Sequence, residues 1–290
     1  METGIVIKPA VWIYKEDKKE AADEIFMGWA VGILEECEGW MHIVTHYGYR
    51  GWLRQGTVCR LNPEELCRRD EMKQTLFVSR AFADVLDRPD VRGQILCTLS
   101  RGAFLTGACG IKDGYQRVRL PDGREGYVPA LSCKRRKDSD GYLYSGEPEG
   151  YFLRKPEDRN FSEETLRDKI IFCAKSYLGT QYRWAGKSAE GIDCSGLAFM
   201  SYLMNGIIIY RDAKLQDGFP VKKISMEQQI KPGDLLYFPG HVALYLGDMK
   251  YIHATGHENN FGCAVNSLSK KDWNYRKDLA ESLLMAGSVF

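Results

Sequence analysis

The stretch Gly191-Ile-Asp-Cys-Ser-Gly-Leu-Ala-Phe-Met200 sets one cysteine between an aspartate and a serine and then turns apolar. Leu197, Met200 and Met204 recur at the spacing of one buried helical face, with Gly206 beyond the end. A helix beginning near Cys194 is therefore expected. A thiol placed there lies among the unpaired N–H groups of a helix amino terminus, which favour the reactive thiolate. Upstream, Leu166, Ile170, Ala174 and Tyr177 mark a helix entered through a capping-box-like Asn160-Phe-Ser-Glu163 and stopped at Gly179. Downstream, strand patterns occupy 234–238, 241–246, 251–254 and 285–290. Helices followed by a run of strands predict an α+β domain with an antiparallel sheet over 161–290.

The amino-terminal part has a different texture. Val31-Gly-Ile-Leu34, Gly39-Trp-Met-His-Ile-Val-Thr45 and Tyr49-Arg-Gly-Trp-Leu53 are short, alternating, aromatic strand patterns that suggest a small barrel. The cadence returns in Gly102-Ala-Phe-Leu-Thr106, Gln116-Arg-Val-Arg-Leu120 and Pro121-Asp-Gly-Arg-Glu-Gly-Tyr-Val128, where Asp122-Gly123 forms a hairpin turn. Gly51-Trp-Leu53 and Gly126-Tyr-Val128 look like one unit used twice. The expected order is a barrel over 1–62, a helical connector over 63–86, a second barrel over 87–135 and a charged, glycine- and proline-rich linker over 136–160.

Composition excludes several classes of function. Forty basic and thirty-nine acidic side chains leave a net charge of +1 in 290 residues, so no global field attracts nucleic acid or an anionic membrane. No apolar run approaches the roughly eighteen residues of a membrane span. The start Met1-Glu-Thr-Gly-Ile-Val-Ile-Lys-Pro9 lacks the basic and apolar regions of a secretory signal, so a cytoplasmic location is expected. The nine cysteines contain no C-x-x-C pair and suit reduced thiols better than a disulfide framework or a zinc cage. A monomer without metal or cofactor is expected.

A free cysteine is in most proteins a small buried residue. Cys173 fits that description, and Cys37, Cys59, Cys67, Cys97, Cys109, Cys133 and Cys263 lack any partner pattern. Cys194 differs because two histidines follow at strand positions. His241 opens a strand after Pro239-Gly240, and His253 lies on the next, across the short turn Gly247-Asp-Met-Lys250. An antiparallel pair can present both imidazoles on one face. Taken singly, each histidine would be read as structural; behind a helix-capping cysteine they are candidates for the base of a thiol nucleophile and for the group that orients that base. His257, His42 and His46 lie elsewhere.

Tyr182-Arg-Trp-Ala-Gly-Lys-Ser188, Gly191-Ile-Asp-Cys-Ser-Gly196, Lys231-Pro-Gly-Asp-Leu-Leu-Tyr-Phe238, Gly240-His-Val-Ala-Leu-Tyr-Leu-Gly247 and Tyr251-Ile-His-Ala254 resemble the successive blocks of NlpC-type cysteine peptidases. These are papain-like enzymes that cut bacterial cell-wall peptides, and the resemblance covers about 161–290. The preceding barrels resemble bacterial SH3-like domains through Trp40, Tyr49, Gly51 and Trp52, with less to carry the likeness in the second. The resemblance implies Cys194 as nucleophile, His241 as general base and later acid, and His253 as the group orienting His241. It implies Tyr182 as a helper of the Cys194 N–H at the oxyanion, with core packing as its alternative role.

Two SH3-like barrels without a signal peptide resemble the subgroup that recycles free murein peptides. Its members cleave between γ-D-glutamate and L-lysine or meso-diaminopimelate, and their substrate carries a free amino terminus. Asp193 and Ser195 match family binding positions, and acidic partners suit an ammonium. Glu24 and Tyr49 of the first barrel are candidates to close the pocket, although Glu24 also ends a charged run that would ordinarily be a solvated face. Three other readings stand beside this one: an exported wall-lytic hydrolase, a non-catalytic wall-peptide-binding protein, and an acyl transferase or deamidase on the same papain-like core.

Overall fold

The computed structural model describes residues 2–62, 75–135, 162–224 and 229–290. The chain divides into two compact units; among the described residues the first holds two sheets and one 3-10 turn (Ala130–Ser132), and the second holds the α-helices.

In the first unit, β1 (Glu2–Val6), β2 (Ala10–Tyr14), β3 (Ala21–Phe26), β4 (Ala30–Cys37), β5 (Trp40–Thr45), β6 (Arg50–Arg54) and β7 (Val58–Leu61) form an antiparallel sheet in the order β3-β2-β6-β5-β4-β1-β7. A second sheet contains β8 (Thr75–Val78), β9 (Phe82–Leu86), β10 (Ile95–Ser100), β11 (Phe104–Lys112), β12 (Tyr115–Arg119), β13 (Glu125–Pro129) and β14 (Cys133–Arg135). Its order, β10-β9-β13-β12-β11-β8-β14, repeats the first sheet strand for strand. The two Gly-aromatic segments fall in the equivalent strands β6 and β13. A Cβ on Gly51 would lie 2.5 Å from Ile13 Cγ2 of β2, and one on Gly126 would lie 2.6 Å from Val85 Cγ1 of β9. In both copies glycine permits the same close strand approach. The expected turn at Asp122-Gly123 joins β12 to β13, with Gly123 at φ +87°.

The helical connector expected over 63–86 does not form in its described part. Residues 75–86 carry β8 and β9, so the second sheet begins at Thr75 rather than at 87. Thr75-Leu-Phe-Val78 is wholly buried and pairs with both β11 and β14. A short, continuously apolar run has no period that separates strand from helix, and here sheet pairing decides. Residues 63–74 and the expected linker lie outside the described residues.

The two sheets meet at a tight joint. The Phe104 N–H donates to the Met27 carbonyl at 2.9 Å, and Trp29 Nε1–H donates to the Gly102 carbonyl at 2.8 Å. Gly28 sits in this joint at φ +84°, and a Cβ there would fall 2.4 Å from the Phe104 oxygen.

The second unit contains α1 (Glu163–Lys175), the hairpin β15 (Lys187–Ser188) and β16 (Gly191–Ile192), α2 (Cys194–Leu203) and the short α3 (Lys277–Glu281). Its main sheet has β17 (Lys222–Ile224), β18 (Leu235–Phe238), β19 (His241–Gly247), β20 (Lys250–Thr255), β21 (Gly262–Ser267) and β22 (Met285–Ser288). Their order is β17-β22-β18-β19-β20-β21, antiparallel throughout. Ser162 caps α1 by accepting from the Thr165 N–H at 3.2 Å, whereas Asn160 of the expected capping box lies outside the described residues. Leu166, Ile170 and Ala174 are buried as the periodicity predicts. Arg167 ties the helix to the sheet through Asp234 and the Pro232 carbonyl, each at 2.8 Å.

All ten residues of α2 are buried. The single apolar face read from the sequence is thus part of a helix enclosed on every side, which suits its nearly all-apolar composition. Leu197 and Met200 are fully buried, and Met204 is the half-buried C-cap. No helix among the described residues is long and apolar enough to cross a membrane.

Gly28→Ala would meet both a left-handed backbone and the Phe104 carbonyl. It is expected to destabilise the first unit by about 2 kcal/mol or more. Urea unfolding compared with Gly39→Ala, where the added Cβ meets nothing within 4 Å although φ is +82°, separates the steric contribution from the backbone contribution.

Candidate active site

Asp193 is the N-cap of α2, and its Oδ1 accepts from the Gly196 N–H at 2.5 Å. Cys194 is therefore the first helical residue, and its own N–H has no intrahelical acceptor. Gly196 lets the helix start close to the preceding loop, since a Cβ there would lie 2.2 Å from the Gly186 carbonyl oxygen. The buried Arg211 grips the cap from a later loop. Its Nη1 donates to Asp193 Oδ1 at 3.1 Å and to Ser195 Oγ at 2.7 Å, and its Nη2 donates to Asp193 Oδ2 at 3.1 Å and to the Ala185 carbonyl at 3.0 Å.

This arrangement changes the reading of two residues. Asp193 was expected to face a substrate ammonium, but its Oδ1 accepts from Gly196, Ser195 and Arg211, and its Oδ2 from Arg211. The carboxylate is a structural anchor for the helix, and Ser195 is held between the same two partners. A buried ion pair with these additional hydrogen bonds fixes geometry more than it adds stability.

The histidines come from neighbouring strands. His241 opens β19 after Gly240, which has φ +66°, and His253 lies in β20. His241 Nε2 and His253 Nδ1 are 2.8 Å apart, and His253 Nε2 is 2.9 Å from Asn266 Oδ1 of β21. The rings cross nearly edge to face at 79°. The backbone N–H of Val242, next to His241, favours negative charge on the Cys194 sulfur, as does that of Ser195. The cysteine thus meets the strand that carries the first imidazole.

Electrostatics correct the expectation of an acidic thiol. Burial pushes the Cys194 thiol up to about 11, and the neighbouring Asp193 adds to the rise. Arg211 and the two amides oppose that rise without reversing it. Burial first, and then His253, push His241 down to about 3, while burial pushes His253 down to about 4. These directions favour a neutral thiol and two neutral imidazoles at rest. An uncharged imidazole is the form that can take up a proton.

Tyr182 bridges to Ile192 and donates its N–H to the Phe261 carbonyl at 2.8 Å. Its phenol is held well above the ordinary range by burial and then by negative charge at Cys194 and Asp193, so it stays a hydroxyl donor near the sulfur. Glu24 and Tyr49 belong to the first unit. Glu24 is only 2% exposed in β3, contrary to the solvated face that its charged run suggests. Beside it, Asp23 is fully buried and accepts from the Tyr47 hydroxyl. Tyr49 Oη lies 3.4 Å from the Ala22 carbonyl of the same strand.

Sequence reasoning missed Arg211 and Asn266. No spacing rule links Arg211 to Asp193, because a loop brings them together. Asn266 follows the alternation of a strand that was not anticipated. Among the described residues no cluster of three or more His, Cys, Asp or Glu could hold a metal ion.

Comparisons with known proteins agree with this geometry. Residues 179–280 match the NlpC/P60 family. The chain is 37% identical, over 99% of both chains, to Dipeptidyl-peptidase 6 of Lysinibacillus sphaericus. It is 25% identical to the gamma-D-glutamyl-L-lysine dipeptidyl-peptidase of Bacillus cereus, over 87% of this chain and 72% of that one. In fold it resembles the crystal structure of an NlpC/P60 family protein from Bacillus cereus, with a TM-score of 0.75 over 98% of both chains at 19% identity.

Two outcomes follow from the site. Arg211→Met leaves the Asp193 carboxylate buried without its counter-ion and is expected to cost about 3 kcal/mol or more in chemical denaturation; a loss below about 1 kcal/mol would contradict the anchoring role. Because His253 is neutral in the fold, the unfolded chain takes up a proton first as pH falls below the ordinary histidine value of 6.5. Stability should then fall between about pH 6.5 and 4, and thermal melts of His253→Gln should show a shallower decline over that window.

Proposed function

This chain is a cysteine peptidase of the NlpC/P60 family, and from that premise we propose that it hydrolyses the γ-D-glutamyl bond to L-lysine or meso-diaminopimelate in free murein peptides. The substrate has an unblocked L-alanine at its amino terminus, and L-alanyl-γ-D-glutamate is released. The observation that carries the catalytic reading is the hydrogen bond between His241 and His253, on a strand whose Val242 amide faces the Cys194 sulfur. The name of the Bacillus cereus relative, gamma-D-glutamyl-L-lysine dipeptidyl-peptidase, supports the bond cleaved.

In this mechanism the Cys194 thiol gives its proton to His241 as the sulfur attacks the γ-carbonyl carbon. The high proton affinity of the resting thiol makes this transfer part of the attack rather than a preceding ionisation. The oxyanion accepts hydrogen bonds from the Cys194 N–H and the Tyr182 hydroxyl. Protonated His241 then protonates the departing α-amine, and the C–N bond breaks to leave a thioester. Water, deprotonated by His241, attacks the thioester carbon; the carboxylic acid departs and the thiol re-forms. No redox step is involved.

We also assign the reaction to the cytoplasm. Cys37, Cys59, Cys97, Cys133, Cys173, Cys194 and Cys263 are free thiols, which suits a reducing compartment.

The test is incubation with L-Ala-γ-D-Glu-L-Lys, its diaminopimelate counterpart and amino-acetylated versions of both, with products identified by mass. The free peptides should be cleaved, and the acetylated ones should react at least about a hundredfold more slowly, as expected of a site that requires an unblocked amine. Equal cleavage of blocked peptides or digestion of intact sacculi would refute the recycling reading. Cys194→Ala should leave the fold intact and reduce turnover by about a thousandfold or more.

A further inference from the structure

We propose that Asn266 is a positioning residue that sets the tautomer of both site histidines, leaving His241 Nδ1 as a bare lone pair for the thiol proton. The proposal rests on the Cys194–His241–His253 reading and extends it outward by one residue.

The argument starts from an atom that can only accept. Asn266 Nδ2 lies 2.8 Å from the Asn274 backbone carbonyl oxygen, and a carbonyl has no proton to give. The amide orientation is therefore fixed, with Oδ1 facing His253 Nε2 at 2.9 Å. Oδ1 is likewise only an acceptor, so His253 Nε2 must carry the proton. A neutral imidazole has a single N–H, which makes His253 Nδ1 the bare acceptor. His241 Nε2, 2.8 Å away, must then donate to it. By the same rule His241 Nδ1 is left without a proton. Each link follows from the one outside it.

The anchor is itself restrained. The Asn274 side chain donates to the Val265 carbonyl at 2.9 Å, and its backbone oxygen also accepts from the Ser267 N–H at 3.1 Å. The Ser267 hydroxyl stands apart from this anchor: it lies 2.6 Å from Asp272 Oδ2 and 3.3 Å from the Met249 carbonyl oxygen.

An amide also suits the chemistry better than a carboxylate at this position. Once His241 has accepted the thiol proton, the charge should remain there until the leaving amine takes it. An uncharged acceptor orients His253 without pulling the positive charge towards it. If Oδ1 is removed, His253 can carry its proton on Nδ1, His241 then carries its own on Nδ1, and the thiol meets a donor instead of a base. In a serine-protease triad a wrong tautomer of this kind lowers turnover by about ten-thousandfold. A partial population here predicts a fall of about ten- to a hundredfold.

The test uses the full chain labelled with ¹⁵N-histidine, whose five histidines are assigned with His241→Gln and His253→Gln. At pH 7 both His241 and His253 should show a protonated Nε2 and a bare Nδ1. Asn266→Leu should shift the His253 proton to Nδ1 and lower kcat at least tenfold, with KM within about twofold. Asn266→Asp keeps an acceptor and should keep both tautomers. Ser267→Ala removes that separate hydroxyl and should change neither the spectra nor kcat. A protonated Nδ1 on either ring of the unaltered protein would overturn the proposal. So would Asn266→Leu with unchanged tautomers or kcat, or Ser267→Ala that reproduces its defect. Should Asn266→Leu fail to fold, the native spectrum and Asn266→Asp still decide. Full turnover by Cys194→Ala would refute the active-site reading while leaving the histidine spectra as expected.

Discussion

The buried Asp193 carboxylate holds the second unit's chemistry in place. It caps α2, binds Arg211 through both oxygens and accepts from Ser195. These bonds define where the helix begins, and therefore where Cys194 stands. Gly196 contributes by letting α2 approach the Gly186 carbonyl. A residue proposed as nucleophile, as Cys194 is, must be placed within a fraction of an ångström to react efficiently. Here its position depends on a charge pair that water cannot easily reach, in a helix packed on every side.

The same burial explains the protonation state. Enclosing the sulfur raises its proton affinity, and the carboxylate that positions it raises it further. Enclosing the imidazoles lowers theirs. Both effects favour a neutral pair over an ion pair at rest. The helix amides still contribute, because they favour negative charge wherever it develops at that terminus.

The first unit is a duplication in which topology was retained while chemistry diverged. The two seven-stranded sheets share one strand order, and their matching glycines make the same close approach. Yet β3 buries Asp23 and Glu24, whereas its counterpart β10 reads Ile-Leu-Cys-Thr-Leu-Ser and has no acidic residue. The second copy keeps the residues that make the sheet and lacks the buried acids.

By itself, the sequence located most of the elements and singled out Cys194, His241 and His253 as the candidate trio. Period and capping residues located α1 and α2, alternation located β18 to β20, and the repeated Gly-aromatic ends revealed the duplicated sheet. Cys194, His241 and His253 were legible because each sits at an element boundary or on a strand face. What escaped was whatever depended on long-range pairing. Thr75-Leu-Phe-Val78 has no diagnostic period, and only its partners β11 and β14 make it a strand. Arg211 reaches Asp193 across a loop, Asn266 meets His253 across a strand pair, and the proton affinities of the site reflect total burial. Local sequence encodes periodicity; burial and charge pairing depend on which distant groups the fold brings together, and those only the tertiary structure decided.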